Sequence, residues 1–261
     1  MVFYIMLAFA VLSKIMSSSN DSNQLALIVE RNKGGSIATI KLNEPPMNPL
    51  GDAQIRGLKQ CIEELAADNA IRVIVIRGAS NEDESNSKPI KSNFSVGANL
   101  KEQDLAAEAG PAIYVKHRID LCTQIESCEK LVIAAIQGYC LGGGLELAMA
   151  CHFRVAEGGA KLGLPEIDLG GAPMWSGASR VLRLVGRAQA LELLLLGEKI
   201  TASKALEVGL INQSYPADQF DQKVTALAET LAAKAPLAES EDLVEGVTAL
   251  FEKRRPVFKG K

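Results

Sequence analysis

Near the middle of the chain a β-prone apolar run passes through three consecutive glycines directly into a helical pattern: Ala134 to Ala150, AAIQGYCLGGGLELAMA. A buried strand that turns straight into a helix is half of a βαβ unit and points to an α/β fold. Glycines at such a turn let the backbone approach a ligand closely. The first N–H groups of the helix point outward with partial positive charge, which makes an anion or oxyanion site. The spacing fits neither G-x-G-x-x-G nor the P-loop with its Lys. Glu146 stands in the first helical turn. Taken alone, the segment is more simply a tight turn with Glu146 as an N-terminal capping carboxylate.

The rest of the chain agrees with this class. Ala26 to Val29 and Ser36 to Leu42 flank Gly34-Gly35 and read as a hairpin. Ile55, Leu58, Ile62 and Leu65 give Asp52 to Ala66 helical spacing. Ile71 to Arg77 and Leu131 to Ile136 are continuous apolar runs, the signature of strands buried on both faces. Pro111 to Glu126, Leu145 to Cys151, Ala188 to Leu196, Ala202 to Val208, Val224 to Ala235 and Leu243 to Glu252 read as helices, with Thr201 a candidate N-cap. Phe153 to Ala156 is a short strand. No internal repeat is visible. Three segments are expected: an N-terminal extension (1–24), a core (25–200) and a helical C-terminal region (201–261).

Composition removes several function classes. The 261 residues carry a net charge of −3, so no global pull toward nucleic acid or an acidic membrane exists. The cysteines, at 61, 122, 128, 140 and 151, are odd in number and scattered, which fits reduced thiols rather than a disulfide framework. Only His117 and His152 are present, so a His-rich metal site is excluded and carboxylates are the expected carriers of any chemistry. Met1 to Leu12 is too short to span a bilayer as a helix and lacks the flanks of a secretory signal. A surface anchor, an atypical targeting segment and a true start at Met16 are the readings, the last favoured. A cytoplasmic or organelle-matrix location is expected.

Two further segments matter. Phe94 to Glu102, FSVGANLKE, is by itself a turn entering a helix, but its backbone N–H could join one from the triple-Gly turn on a single oxygen. Leu162 to Pro173, LGLPEIDLGGAP, carries Glu166 and Asp168 on a loop shaped by Pro165, Gly170 and Gly171. These three segments, in this order, together with GRAQALELLLLG (Gly186 to Gly197), resemble the crotonase superfamily of enoyl-CoA hydratases and isomerases. The similarity runs from about Leu25 to Ala235 and resumes at Glu241 to Phe258.

The resemblance implies a crotonase-like spiral of ββα units with a shortened helical C-terminal part. It implies oxyanion-hole amides at Ala98 and Gly143 and catalytic carboxylates at Glu146 and Glu166, with water activation given to Glu146 and α-carbon proton transfer to Glu166, roles open to exchange. It places coenzyme A and the acyl group against Met47, Ser95, Gly97, Ala98, Asn99, Leu100, Lys101, Tyr139, Leu141, Gly142, Gly143, Pro165, Glu166 and Trp175. It implies an acyl-CoA substrate, a homotrimer or dimer of trimers, no metal and no separate cofactor, since coenzyme A is part of the substrate. Hydration of a 2-enoyl-CoA is the leading expectation, because both glutamates are kept. A Δ3-Δ2 enoyl-CoA isomerase, another crotonase-type reaction and a catalytically impaired acyl-CoA binder are the alternatives. The chain departs from the family pattern at Asn99 and His152, where Asp is common, at Pro173-Met-Trp-Ser-Gly177, in an acidic insertion at Asn81 to Ser87, and at the Ala238-Glu239 junction, where a helical pair is missing. Asn99 is expected to change little and His152 to be structural. The basic tail Lys253, Arg254, Arg255 and Lys259 is expected either to reach CoA phosphates or to lie in solvent.

Overall fold

A computed structural model describes residues 26–79, 92–102, 111–234 and 241–257. The readings of the N-terminal run, the acidic insertion, the 238–239 junction and Lys259 lie outside these residues.

The chain opens with the antiparallel hairpin β1 (Leu27–Arg31) and β2 (Ile37–Leu42), followed by helix α1 (Asp52–Ala67). Strand β3 (Val73–Gly78) pairs parallel to β2, and β4 (Leu131–Ile136), after helix α2 (Pro111–Glu126), pairs parallel to β3. Strand β5 (Tyr139–Leu141) leads into helix α3 (Gly143–Ala150). Then come β6 (Phe153–Glu157), β7 (Lys161–Gly163), a 3₁₀ turn at Pro165–Leu169 and helix α4 (Gly177–Leu196), kinked at Gly186. The last elements are β8 (Ile200–Thr201), α5 (Ala202–Glu207), β9 (Gln213–Tyr215), α6 (Ala217–Lys234) and α7 (Glu241–Phe251).

Two sheets result. The larger has the order β1-β2-β3-β4-β6-β9; the smaller is β5-β7-β8. The chain spirals: β4 and β6 of the large sheet are each followed by a short strand of the small one and then by a helix. Isolated bridges Leu50↔Ala98 and Ser95↔Cys140 extend the small row to the earlier turns of the spiral. The ββα unit thus recurs in space although its sequence does not repeat.

The buried runs explain the layering. Ile74 and Ile76 face one side of β3 and join the core under α1, α2 and α3 with Ile40, Val132, Ala134 and Ile136. Val73 and Val75 face the other side and meet Phe220, Val224, Ala228 and Ala232 of α6. Residues 201–234 therefore belong to the same body as the core: β9 extends the large sheet at its edge and α6 covers a face.

The Thr201 Oγ1 accepts the Lys204 N–H at 3.1 Å and caps α5, as its position suggested. Thr201→Ala is expected to lower stability by about 1 kcal/mol in urea unfolding. His152 Nδ1 accepts the Val132 N–H at 2.9 Å, a structural role that joins the end of α3 to β4. All five cysteines are free. Among the described residues no helix is long and apolar enough to cross a membrane.

Candidate active site

The polar features collect at the C-terminal ends of the parallel strands, where α/β folds bind ligands. The segment after β3 runs past Leu50 on one side and β5 on the other. Leu50 N–H donates to Gly97 O at 2.7 Å, and Asn99 N–H donates to Leu50 O at 3.3 Å. The intervening Ala98 N–H takes no part in this pairing with Leu50. Leu141 N–H donates to Ser95 O at 3.0 Å, which locks the β5–α3 turn alongside. The two turns touch: a Cβ built on Gly97 would lie 3.0 Å from Gly143 N and 2.8 Å from Leu141 O. Gly97 has φ +101°, a conformation only glycine takes easily. Neither Ala98 N–H nor Gly143 N–H has an acceptor among the described residues. Two unspent donors from distant stretches of chain thus lie on turns that touch at the start of α3.

Two carboxylates flank this point. Glu146 is 2% exposed and does not cap its own helix. Its Oε1 instead accepts the N–H groups of Trp175 at 2.7 Å and Gly177 at 2.8 Å. Burial pushes the Glu146 carboxyl up to about 7; the Gly177 and Trp175 N–H bonds pull against this, and the neighbouring Glu166 charge adds to it. Glu166, from the 3₁₀ turn after β7, is raised as well, again by burial. Its Oε2 is buried without a hydrogen-bond partner, and its Oε1 lies 3.0 Å from where a Gly142 Cβ would stand. Two carboxyls that burial shifts upward, set beside backbone donors, have the chemistry a proton-transfer centre needs.

The Glu146 shift carries a stability consequence. A carboxyl with an ordinary value of 4.5 that titrates near 7 in the fold favours folding below about 4.5, and that contribution is lost as pH rises through 7. The melting temperature of Glu146→Gln, relative to the unsubstituted protein, is expected to rise by about 5 °C between pH 5 and pH 8, read by calorimetry.

Several supporting residues were not visible in the sequence. Arg180, buried in α4, donates to Trp175 O at 2.7 Å and to Glu126 at 2.9 and 3.1 Å, which fixes the loop that holds Glu146. Ser176 turns that loop with φ +69°. Arg118 on α2 is fully buried, pairs with Asp52 at 2.7 Å and lies over the Tyr114 ring at 3.2 Å. Glu102 accepts the Asp52 N–H at 2.8 Å at the start of α1 and takes a hydrogen bond from Asn99 Nδ2 at 3.1 Å. The Asn99 departure thus supplies a donor where Asp would place a second carboxylate beside Glu102.

The remaining expected contacts divide. Met47, Leu100 and Tyr139 are exposed, and Lys101 is as well. Gly142 and Leu141 line the β5–α3 turn, and Pro165 begins the Glu166 turn. Ser95 is fully buried, and its Oγ accepts the Gly97 N–H at 3.0 Å, which shapes the turn. Arg254 pairs with Glu245 and Glu252, so its charge is met within the C-terminal helix region. A cavity of about 540 Å³ lies elsewhere, at the N-terminal ends of β2 and β3 beside α6, away from both glutamates.

A spiral of ββα units with an amide pair and two acids at the strand ends defines a protein of crotonase type. Comparison agrees. The chain belongs to the enoyl-CoA hydratase/isomerase family, whose pattern it matches over residues 32–240. It is 35% identical to a "Probable enoyl-CoA hydratase" of Bacillus subtilis over 92% of this chain and 100% of that one. It is 33% identical to the "2,3-dehydroadipyl-CoA hydratase" of Escherichia coli over 90% and 99%. Among solved structures it is similar to an enoyl-CoA hydratase of Bacillus anthracis, with TM-score 0.77 and 29% identity, covering 90% of this chain and 100% of that one.

Proposed function

We propose that the chain catalyses reversible hydration of a 2-enoyl-CoA thioester by syn addition of water. The observation that supports this reading is the contact of the Gly97–Ala98 turn with Gly143, each turn with an unspent N–H, beside the buried carboxyls of Glu146 and Glu166. In this reading the thioester oxygen sits between the two amides, which stabilise the enolate-like charge as water adds to the β-carbon. Glu146, held by Trp175 N–H and Gly177 N–H with one oxygen, takes the proton from water with its ionised fraction. Glu166 delivers a proton to the α-carbon. The Glu146 value of about 7 lies near the pH at which proton transfer in either direction is efficient, and burial shifts Glu166 in the same direction. Coenzyme A enters as part of the substrate, and the addition of water requires no oxidant or reductant.

The test is loss of the conjugated thioester absorbance of crotonyl-CoA on mixing with the purified protein. Hydration that yields 3-hydroxybutyryl-CoA supports the reading. No turnover on short, medium and long enoyl-CoAs would overturn it. Migration of a Δ3 double bond without water uptake would replace it by the isomerase.

A further inference from the structure

We propose that Trp175 limits the acyl chain, so that a crotonyl-sized group fits and a decenoyl group is disfavoured; this deepens, and rests on, the hydratase reading. The indole packs against Gly143, the residue that carries one of the two amides. A Cβ built on Gly143 would stand 2.4 Å from the ring's Cη2, 2.6 Å from Cζ3 and 2.8 Å from Cζ2. The same residue's N–H holds Glu146 Oε1 at 2.7 Å. Trp175 therefore borders both the amide that grips the thioester oxygen and the acid that faces the adjacent carbons. In the hydratase reading the ring therefore stands beside the path of the acyl group.

The ring is pinned on several sides. Gly143 meets one edge, and the Arg118 guanidinium lies 5.8 Å from a ring centroid. Arg118 is itself fixed by Asp52 and Tyr114. Arg180 holds the Trp175 carbonyl at 2.7 Å. The residue is 3% exposed, whereas Met174 before it is 59% exposed. The left-handed turn at Ser176 follows this inward-facing ring. A swing out of the pocket would break each of these contacts, so the ring acts as a wall and not as a lid.

The test compares kcat/KM for crotonyl-CoA and trans-2-decenoyl-CoA in the unsubstituted protein, Trp175→Phe and Trp175→Ala. All three keep the backbone N–H on Glu146. The unsubstituted protein is expected to favour crotonyl-CoA by at least about 10-fold. Trp175→Ala is expected to move the ratio toward decenoyl-CoA by at least about 10-fold, with Trp175→Phe between. An unchanged ratio in Trp175→Ala, or a preference for decenoyl-CoA in the unsubstituted protein, overturns the proposal. A second measurement needs no variant, because Trp175 is the chain's only tryptophan. Butyryl-CoA, which cannot be hydrated, is expected to change the emission, and free coenzyme A is not. Decanoyl-CoA is expected to need at least about 10-fold more for half its effect. Equal responses to butyryl-CoA and free coenzyme A overturn the proposal. An emission change specific to butyryl-CoA, together with no hydration at any chain length, would sink the hydratase reading and leave the length limit standing.

Discussion

Glu146→Gln lowers kcat for crotonyl-CoA hydration by about 10²–10⁴-fold and leaves KM nearly unchanged. The amide oxygen of Gln can still accept from Trp175 N–H and Gly177 N–H, so the loop that these groups fix stays in place. What is lost is the capacity to take a proton. Glu166→Gln is expected to fall in the same range, because its buried Oε2 has no protein partner to substitute for the missing charge. The double variant is expected to lose less than the product of the single losses, since the two acids act on one proton inventory. Steady-state kinetics on all three decide the matter. If Glu146→Gln keeps more than about a third of the rate, its assigned role is wrong.

Gly97→Ala is expected to lower kcat by at least about 10²-fold, the scale of losing one preorganised donor. The added methyl would meet Leu141 O at 2.8 Å and Gly143 N at 3.0 Å, and φ +101° is unfavourable to any Cβ. The methyl must therefore push the two turns apart or cover the Gly143 N–H. A stability cost of about 1–3 kcal/mol accompanies the strain. Gly34→Ala, in the β1–β2 turn with only Asn32 Nδ2 at 3.7 Å, is the control and should hydrate normally. Normal kcat in a folded Gly97→Ala would show that the amide pair does not hold the reacting oxygen.

The long elements were legible because each carries a repeated signal. Ile55, Leu58, Ile62 and Leu65 mark α1 by their spacing, and all four are buried. The runs in β3 and β4 mark strands covered on both sides, and both are. β5, β7 and β9 have three residues each, and β8 has two. So short a segment has no period, and its pairing depends on neighbours more than twenty residues away. For the site, the triple glycine announced a backbone approach and the Phe94–Glu102 turn offered a partner N–H, but the assignment to Ala98 and the roles of Glu146 and Glu166 came from family resemblance. Taken alone, Glu146 looked like a helix cap. Its actual donors are main-chain groups of Trp175 and Gly177, and a backbone N–H leaves no trace in residue identity. Arg180 and Arg118 were missed for a related reason: a lone basic residue in a helix looks solvated until its carboxylate partner, here Glu126 or Asp52, is found across the fold.

The donors at Ala98 and Gly143 are peptide amides, and among substitutions only a proline deletes a backbone N–H. In the proposed mechanism the grip on an acyl thioester therefore follows the winding of the chain and tolerates most side-chain changes, while the acids and the ring beside it can be exchanged one nucleotide at a time. Such a scaffold can drift between reactions of one substrate class without first surrendering its hold on the substrate.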